Sequence, residues 1–233
     1  MKSSSKTNDH DDFNGPSTAH THKQAMEVGS WRHDSPGVLS WEPMEAISPQ
    51  LDYEGRELPE RHEIVDGVLV KKASPSGPHS GVQWALAVRL DSYRGPPGKS
   101  LHGGWWFGTE IDVQLALGQR YVPDLAGWRL ESFEPSELQV FSGIPCHLRP
   151  DWVCEVLSPS TASRDLGTKK RNYHLAGVGH YWVLAPEQRT LTVLRRTDSG
   201  YQEILQAGAA DKVHAEPFGE VELDMSELFA LLP

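Results

Sequence analysis

An acidic residue inside a continuous apolar run is the feature that most constrains the fold of this chain. Residues 152–157 read Trp-Val-Cys-Glu-Val-Leu and are apolar on both faces of an extended chain except at Glu155. Such a run is typical of a central strand that is covered on both sides. Because burying an unpaired ionised carboxylate is costly, the sequence predicts a cation or hydrogen-bond donors beside Glu155. An ordinary ion pair with an arginine and a functional site both meet that requirement.

Length and composition indicate one folded domain with a polar tail. The 233 residues are 38% hydrophobic and 23% charged, which suits a globular protein. Residues 1–40 are rich in Ser, Asp, His, Gly and Pro and lack apolar periodicity, so we expect a disordered tail there and the folded domain at 41–233. The chain shows neither a secretory signal nor an apolar run of the roughly 20 residues that a membrane helix needs. We therefore expect no membrane association and a cytoplasmic location.

The charge balance argues against one class of nucleic-acid-binding protein. A formal net charge of −10 is unlike that of proteins that coat nucleic acid through many phosphate contacts. The acidic excess is uneven, however, because residues 160–196 contain seven Lys or Arg against two acidic residues. The sequence therefore leaves open whether a basic strip lies on the surface of an otherwise acidic protein.

Two acidic residues precede the central run in segments with strand character. Glu110 to Leu117 alternates apolar and polar residues as a half-buried strand does, and Gly118-Gln119 can turn the chain into a second strand from Tyr121 to Trp128. This arrangement predicts Asp112 and Asp124 on neighbouring strands. The Pro-Asp pair that contains Asp124 is by itself mostly a turn signal, and it gains weight only from the order of elements around it.

Periodicity predicts the remaining elements. Two strands, 62–65 and 68–70, are expected around a tight Asp66-Gly67 turn. Apolar spacing predicts an amphipathic helix from Gly81 to Tyr93. A second helix is expected from Ser160 or Thr161 to Ala176, ended by Gly177. Strands at 181–184, 191–195 and 201–205 and a short helix at 226–231 complete the prediction.

The second predicted helix carries a lysine that is a candidate partner of Glu155. Asp165, Lys169 and Tyr173 are spaced four apart and so share one helical face. One interpretation is an exposed acid–lysine pair that stabilises the helix by roughly 0.3–0.5 kcal/mol. The other is that Lys169 points back over Glu155, where it holds or activates an attacking water. Spacing leaves both open.

An ordered series of motifs adds a resemblance to a known family. The series comprises Glu63-Ile-Val-Asp-Gly-Val-Leu-Val, Val-Pro-Asp-Leu at 122–125, Pro150 to Thr161, Arg164 to Lys169 with Tyr173, Gly177-Val178 and His180-Tyr-Trp-Val183. In this order the motifs resemble the bacterial family of putative restriction endonucleases in the PD-(D/E)XK nuclease superfamily, over roughly residues 42–232. The resemblance implies an α/β, restriction endonuclease-like three-layer fold with a mixed, bent central sheet flanked by helices.

The same resemblance implies a function and a set of site residues. It implies a metal-dependent endonuclease that hydrolyses phosphodiester bonds in DNA, with Asp124 and Glu155 as ligands of Mg²⁺ or Mn²⁺ and with Lys169 as the catalytic lysine. The superfamily usually carries that lysine two residues beyond the second acid, and Leu157 occupies this position here. Supporting roles fall to four further residues: Glu63, Asp112, Asp165 and Tyr173.

Two other functions remain open from the sequence. One is a catalytically inactive nuclease fold that still binds nucleic acid, which Leu157 and the acidic net charge favour. The other is an acidic interaction or scaffold protein, which predicts an ordinary arginine beside Glu155. Many enzymes that act on both strands are two-fold symmetric, so a homodimer is expected on grounds of symmetry alone.

Overall fold

The computed structural model describes residues 29–35, 38–43, 61–115, 118–132, 146–230 and 232. Most of the expected disordered tail, residues 1–40, lies outside these ranges. Where it is described, strand β1 (Gly29–Ser35) pairs antiparallel with β2 (Val38–Pro43), and Trp31 is in register with Trp41. The predicted tail boundary at residue 40 therefore falls inside a strand. Tryptophan, valine and leucine favour strands, a local preference that the polar average of the segment concealed.

The other elements follow in chain order. The strands are β3 His62–Val65, β4 Val68–Lys71, β5 Trp105–Thr109, β6 Val113–Gln114, β7 Arg120–Tyr121, β8 Leu125–Arg129, β9 Trp152–Val156, β10 His180–Ala185, β11 Thr190–Thr197, β12 Gly200–Ala207, β13 Lys212–His214 and β14 Glu222–Asp224. The α-helices are α1 Gly77–Leu90, α2 Ala162–Arg164, α3 Lys170–Leu175 and α4 Met225–Leu228. A π-helical turn, Asp165–Lys169, joins α2 to α3. No helix among the described residues is long and apolar enough to cross a bilayer.

The strands form a mixed main sheet and smaller sheets beside it. The main sheet has six strands in the order β12-β11-β10-β9-β8-β5. Within it β9 and β10 run parallel, whereas the other neighbours are antiparallel. A second sheet has the order β4-β3-β7-β6, and β13 pairs with β14. The predicted α/β fold class with a mixed sheet is confirmed.

Strand β9 separates two hydrophobic cores. The residues of β9 in the core that α1 covers are Trp152, Cys154 and Val156. Val153 belongs to the opposite core, together with Tyr173 of α3. Because successive residues of a strand point to opposite faces, Glu155 shares the face of Val153 and lies under α3. The prediction of a strand buried on both faces is confirmed, since all five residues of β9 are buried.

Helix α1 begins four residues before its predicted start at Gly81. Ser76 caps it, and its hydroxyl accepts a hydrogen bond from the backbone N–H of His79 at 3.3 Å. Pro78 lies in the first turn. Backbone N–H groups in this turn have no intrahelical partner, so a proline there costs no hydrogen bond. The cap and the first turn thus place the start of the helix at Gly77.

The prediction of one continuous strand from Tyr121 to Trp128 is wrong, because this segment is divided between two sheets. Strand β7 belongs to the second sheet and β8 to the main sheet, so Val122–Asp124 is the crossing between them. Pro123 has no N–H for a ladder, and the N–H of Val122 donates to the Glu63 side chain at 3.0 Å instead. Asp112 and Asp124 consequently do not lie on neighbouring strands of one hairpin.

Two glycine substitutions test the described helix boundaries with opposite expected signs. Gly177 follows α3 with φ +85, so Gly177→Ala should destabilise the protein by roughly 1–2 kcal/mol, because alanine is strained in that conformation. Gly81 lies inside α1 with open space where a Cβ would be, so Gly81→Ala should stabilise it by about 0.5–1 kcal/mol. Urea unfolding measures both values, and effects of the same sign would contradict these boundaries.

Candidate active site

Asp124 and Glu155 lie side by side where the crossing enters the main sheet. Leu125 of β8 is in register with Cys154 of β9, which brings the preceding Asp124 beside the end of β9. The N–H of Val156 donates to Oδ2 of Asp124 at 2.7 Å. Both acids are 2% exposed. The structure thus brings together the two acids that the sequence proposed as metal ligands.

Lys169 reaches Glu155 from the π-helical turn. Its Nζ lies 2.6 Å from Oε1 of Glu155, 3.1 Å from Oε1 of Glu63 and 3.6 Å from Oδ1 of Asp165. The hydroxyl of Tyr173 donates to the same Glu155 oxygen at 2.9 Å. Three of the four predicted supporting residues therefore surround the Lys169–Glu155 pair. The interpretation of Lys169 and Asp165 as an exposed surface pair is wrong, because they are 2% and 3% exposed.

The fourth predicted supporting residue, Asp112, has a different partner. Its two carboxylate oxygens accept a bidentate pair of hydrogen bonds from Arg120, at 2.8 and 2.7 Å. Arg120 is itself buried, so this pair holds the edge of the second sheet. The expectation that placed Asp112 near the other acids depended on the undivided Tyr121–Trp128 strand, which the structure does not contain.

Sequence reasoning missed a second lysine, Lys72. Its Nζ donates to Oδ1 of Asp124 at 2.9 Å, to Oε1 of Glu110 at 3.0 Å and to the carbonyl of Val122. A signal was available: Lys71 and Lys72 are adjacent at the end of an extended segment, so their side chains must point to opposite sides. Lys71 is exposed, whereas Lys72 is 8% exposed.

Two residues of helix α1 that the sequence analysis missed also contact Asp124. Nε2 of His79 lies 3.4 Å from Oδ1 of Asp124. The side-chain amide of Gln83 donates to the backbone carbonyl of Asp124 at 2.7 Å. These residues are four apart and share one helical face, which explains why both reach the same loop. Because the helix was predicted to begin at Gly81, the prediction placed His79 outside it.

The partners of Glu155 distinguish among the open interpretations. The scaffold interpretation predicts an arginine beside Glu155, but its partners are Lys169 and Tyr173. Burial raises the pKa of Glu155 to about 8, and the negative charges of Asp124 and Asp165 add to the effect, although Lys169 and Lys72 oppose it. Burial acts in the same direction on Asp124, but the nearby His79 and Lys72 hold its pKa well below the usual range.

The charge balance of this cluster fits a divalent cation. Its ion pairs join five acids to three side chains that are always cationic: Glu63, Glu110, Asp124, Glu155 and Asp165 with Lys72, Arg164 and Lys169. Asp124 also contacts His79, which is cationic only when protonated. Oε2 of Glu63 is also buried without a hydrogen-bond partner. Carboxylate oxygens are the hard ligands that Mg²⁺ prefers. Among the described residues no three His, Cys, Asp or Glu side chains form a ready metal cage, which is compatible with a Mg²⁺ site completed by waters and substrate oxygens.

Comparisons with known proteins identify relatives of the chain. The family model described as "Uma2: Putative restriction endonuclease" matches residues 49–226. An uncharacterized protein from Synechocystis is 26% identical over 185 residues, which cover 76% of this chain and 88% of that protein. Among solved structures, a putative nuclease from Anabaena variabilis matches with a TM-score of 0.60 and 21% identity, covering 76% of this chain and 96% of that one. This likeness shows a shared fold.

Removal of the Lys169 charge tests the buried pair. Lys169→Met should lower the free energy of unfolding by about 3–5 kcal/mol, because it leaves buried Glu155 and Glu63 without their cation. The matched control is Lys170→Met at the next, partly exposed position, which should change it by less than about 0.5 kcal/mol. Urea unfolding without divalent ions measures both variants. Equal effects of the two substitutions would show that Lys169 does not neutralise this cluster.

Proposed function

The chain belongs to the Uma2 family of putative restriction endonucleases, and we propose that it is a divalent-metal-dependent endonuclease that hydrolyses phosphodiester bonds in DNA. One observation carries the proposal. Two buried carboxylates, Asp124 at the end of the crossing before β8 and Glu155 on β9, lie together in a cluster with more acids than cations. Such an excess of negative charge destabilises a fold unless protonation or a bound cation removes it. A bound divalent ion removes the excess.

The residues divide into ligands and residues that position them. Asp124 and Glu155 are the proposed ligands of Mg²⁺ or Mn²⁺. When bound, the ion polarises the phosphodiester and lowers the pKa of a water. The charge of Lys169 favours the ionised form of Glu155 against the effect of burial, and Lys169 is the proposed counterpart of the superfamily lysine, which positions the attacking water. Glu63 of β3 and Asp165 of the same π-helical turn hold the Lys169 ammonium group.

Tyr173 and the backbone complete this positioning. The Tyr173 hydroxyl directs Oε1 of Glu155, and the N–H of Val156 occupies Oδ2 of Asp124. Each carboxylate therefore has at least one oxygen held by the protein. Fixed ligands of this kind need no reorganisation when a phosphate arrives, which is where much of the rate acceleration of an electrostatic site comes from.

One alternative function has a specific observation in its favour. Each of the two acids already forms an ion pair with a lysine, Asp124 with Lys72 and Glu155 with Lys169. A nuclease fold that binds nucleic acid without hydrolysing it would have the same ion pairs. It would bind DNA without binding Mg²⁺ or Mn²⁺, and isothermal calorimetry distinguishes it from the proposed nuclease.

Plasmid nicking by the purified protein tests the proposed activity. With Mn²⁺ the wild type should nick supercoiled plasmid, and EDTA should abolish the reaction. Glu155→Gln and Asp124→Asn should each lower the rate by at least about 100-fold, because each removes a charge that stabilises the transition state. Glu187→Gln, at an exposed position in the turn after β10, should leave the rate unchanged.

Circular dichroism establishes that the variants are folded before their rates are compared. Equal nicking by the wild type and Glu155→Gln would contradict the assignment of Glu155. Nicking that survives EDTA would contradict metal dependence. Absence of nicking by a folded wild type that binds DNA but not Mn²⁺ would favour the alternative of a non-hydrolytic binding protein.

A further inference from the structure

Lys72 occupies the oxygen of Asp124 that a metal ion would need. Oδ2 of Asp124 is committed to the N–H of Val156, which leaves Oδ1 as the available ligand atom. Nζ of Lys72 lies 2.9 Å from this Oδ1, and Nε2 of His79 lies farther from it, at 3.4 Å. The other contacts of the ammonium group are a Glu110 carboxylate oxygen and the Val122 carbonyl. Its three N–H donors are therefore all directed at oxygen atoms.

This oxygen environment is of the kind that binds a hard cation. Two carboxylates and a backbone carbonyl are typical ligands of Mg²⁺ and Ca²⁺. Here the cation that they surround is an ammonium group of the protein itself, on a side chain that is 8% exposed. This ammonium group favours the ionised form of Asp124 in the absence of a divalent ion.

We propose that Lys72 is an intrinsic counter-ion that a divalent cation must displace from Oδ1 of Asp124, so that Lys72 sets the metal affinity of the site. This inference rests on the proposed function, because it assumes that Asp124 is a metal ligand. An ion bound to Oδ1 at about 2.1 Å would lie close to the Lys72 ammonium group, and their repulsion in a buried site is strong.

The displaced ammonium group has a partly exposed partner in Glu110. The Glu110 side chain is 33% exposed, so it lies on the solvent side of Lys72. Lysine has a flexible four-carbon stem, and its strongly hydrated ammonium group gains from moving toward water. Lys72 can therefore keep Glu110 as its partner when it leaves Asp124, without crossing the core.

Amine labelling of the wild-type protein tests the displacement without any substitution. The metal-free protein is treated with an N-hydroxysuccinimide ester, with and without saturating Mn²⁺, and the modified lysines are quantified by peptide mass spectrometry. Lys72 should react slowly without metal, and its rate should rise about 10-fold with Mn²⁺ as its ion pair with Asp124 is released. The exposed neighbour Lys71 is the internal control, and its rate should stay constant.

Calorimetry with Mn²⁺ alone tests the consequence for affinity. Lys72→Met should bind Mn²⁺ at least about 10-fold more tightly than the wild type, because the ion no longer competes with an ammonium group for Asp124. Lys71→Met should bind with the wild-type affinity. The labelling experiment remains decisive if Lys72→Met fails to fold.

The outcomes separate this inference from the proposed function. Mn²⁺ binding to the wild type with an unchanged labelling rate at Lys72 overturns the displacement and leaves the metal-dependent function in place. Equal or weaker binding by folded Lys72→Met overturns it as well. Failure of both the wild type and folded Lys72→Met to bind Mn²⁺ overturns the metal-dependent function, and this inference with it.

Discussion

The ion pair between Lys169 and Glu155 is the interaction on which this structure depends. A strand buried on both faces cannot carry an ionised carboxylate unless a cation lies beside it, and the 2.6 Å contact meets that demand. The lysine also contacts two further carboxylates, Glu63 of β3 and Asp165 of its own π-helical turn. One buried charge thereby ties the second sheet and the helical layer to the centre of the main sheet.

The parts of the site that could be predicted are those that depend on local sequence patterns. Glu155 could be recognised because it interrupts an apolar run. The hairpin of β3 and β4 could be predicted because Asp66 and Gly67 suit a tight turn, in which both have positive φ. The π-helical turn was not predictable, because widening one turn leaves no signature in composition or spacing. Lys72 was missed because its partner lies 52 residues away, and such pairing depends on how the two sheets meet.

The site also shows why acid and lysine positions cannot be assigned by spacing alone. Asp112 and Asp124 have similar sequence surroundings, yet one pairs with Arg120 at the edge of the second sheet and the other enters the main sheet. The difference follows from Pro123 and from the bond between Val122 and Glu63, which together end one strand and let the chain cross. The crossing brings Asp124 beside Glu155, and these two acids are the metal ligands of the proposed nuclease.

The most direct test of the central claim is anomalous diffraction from crystals soaked in Mn²⁺. If the two acids form one metal centre, a single strong manganese peak should lie within about 2.2 Å of an oxygen of Asp124 and an oxygen of Glu155, with Lys169 still paired to Glu155. A saturated crystal with no peak on Glu155, or with manganese bound only to surface carboxylates, would contradict a metal centre built on this buried glutamate.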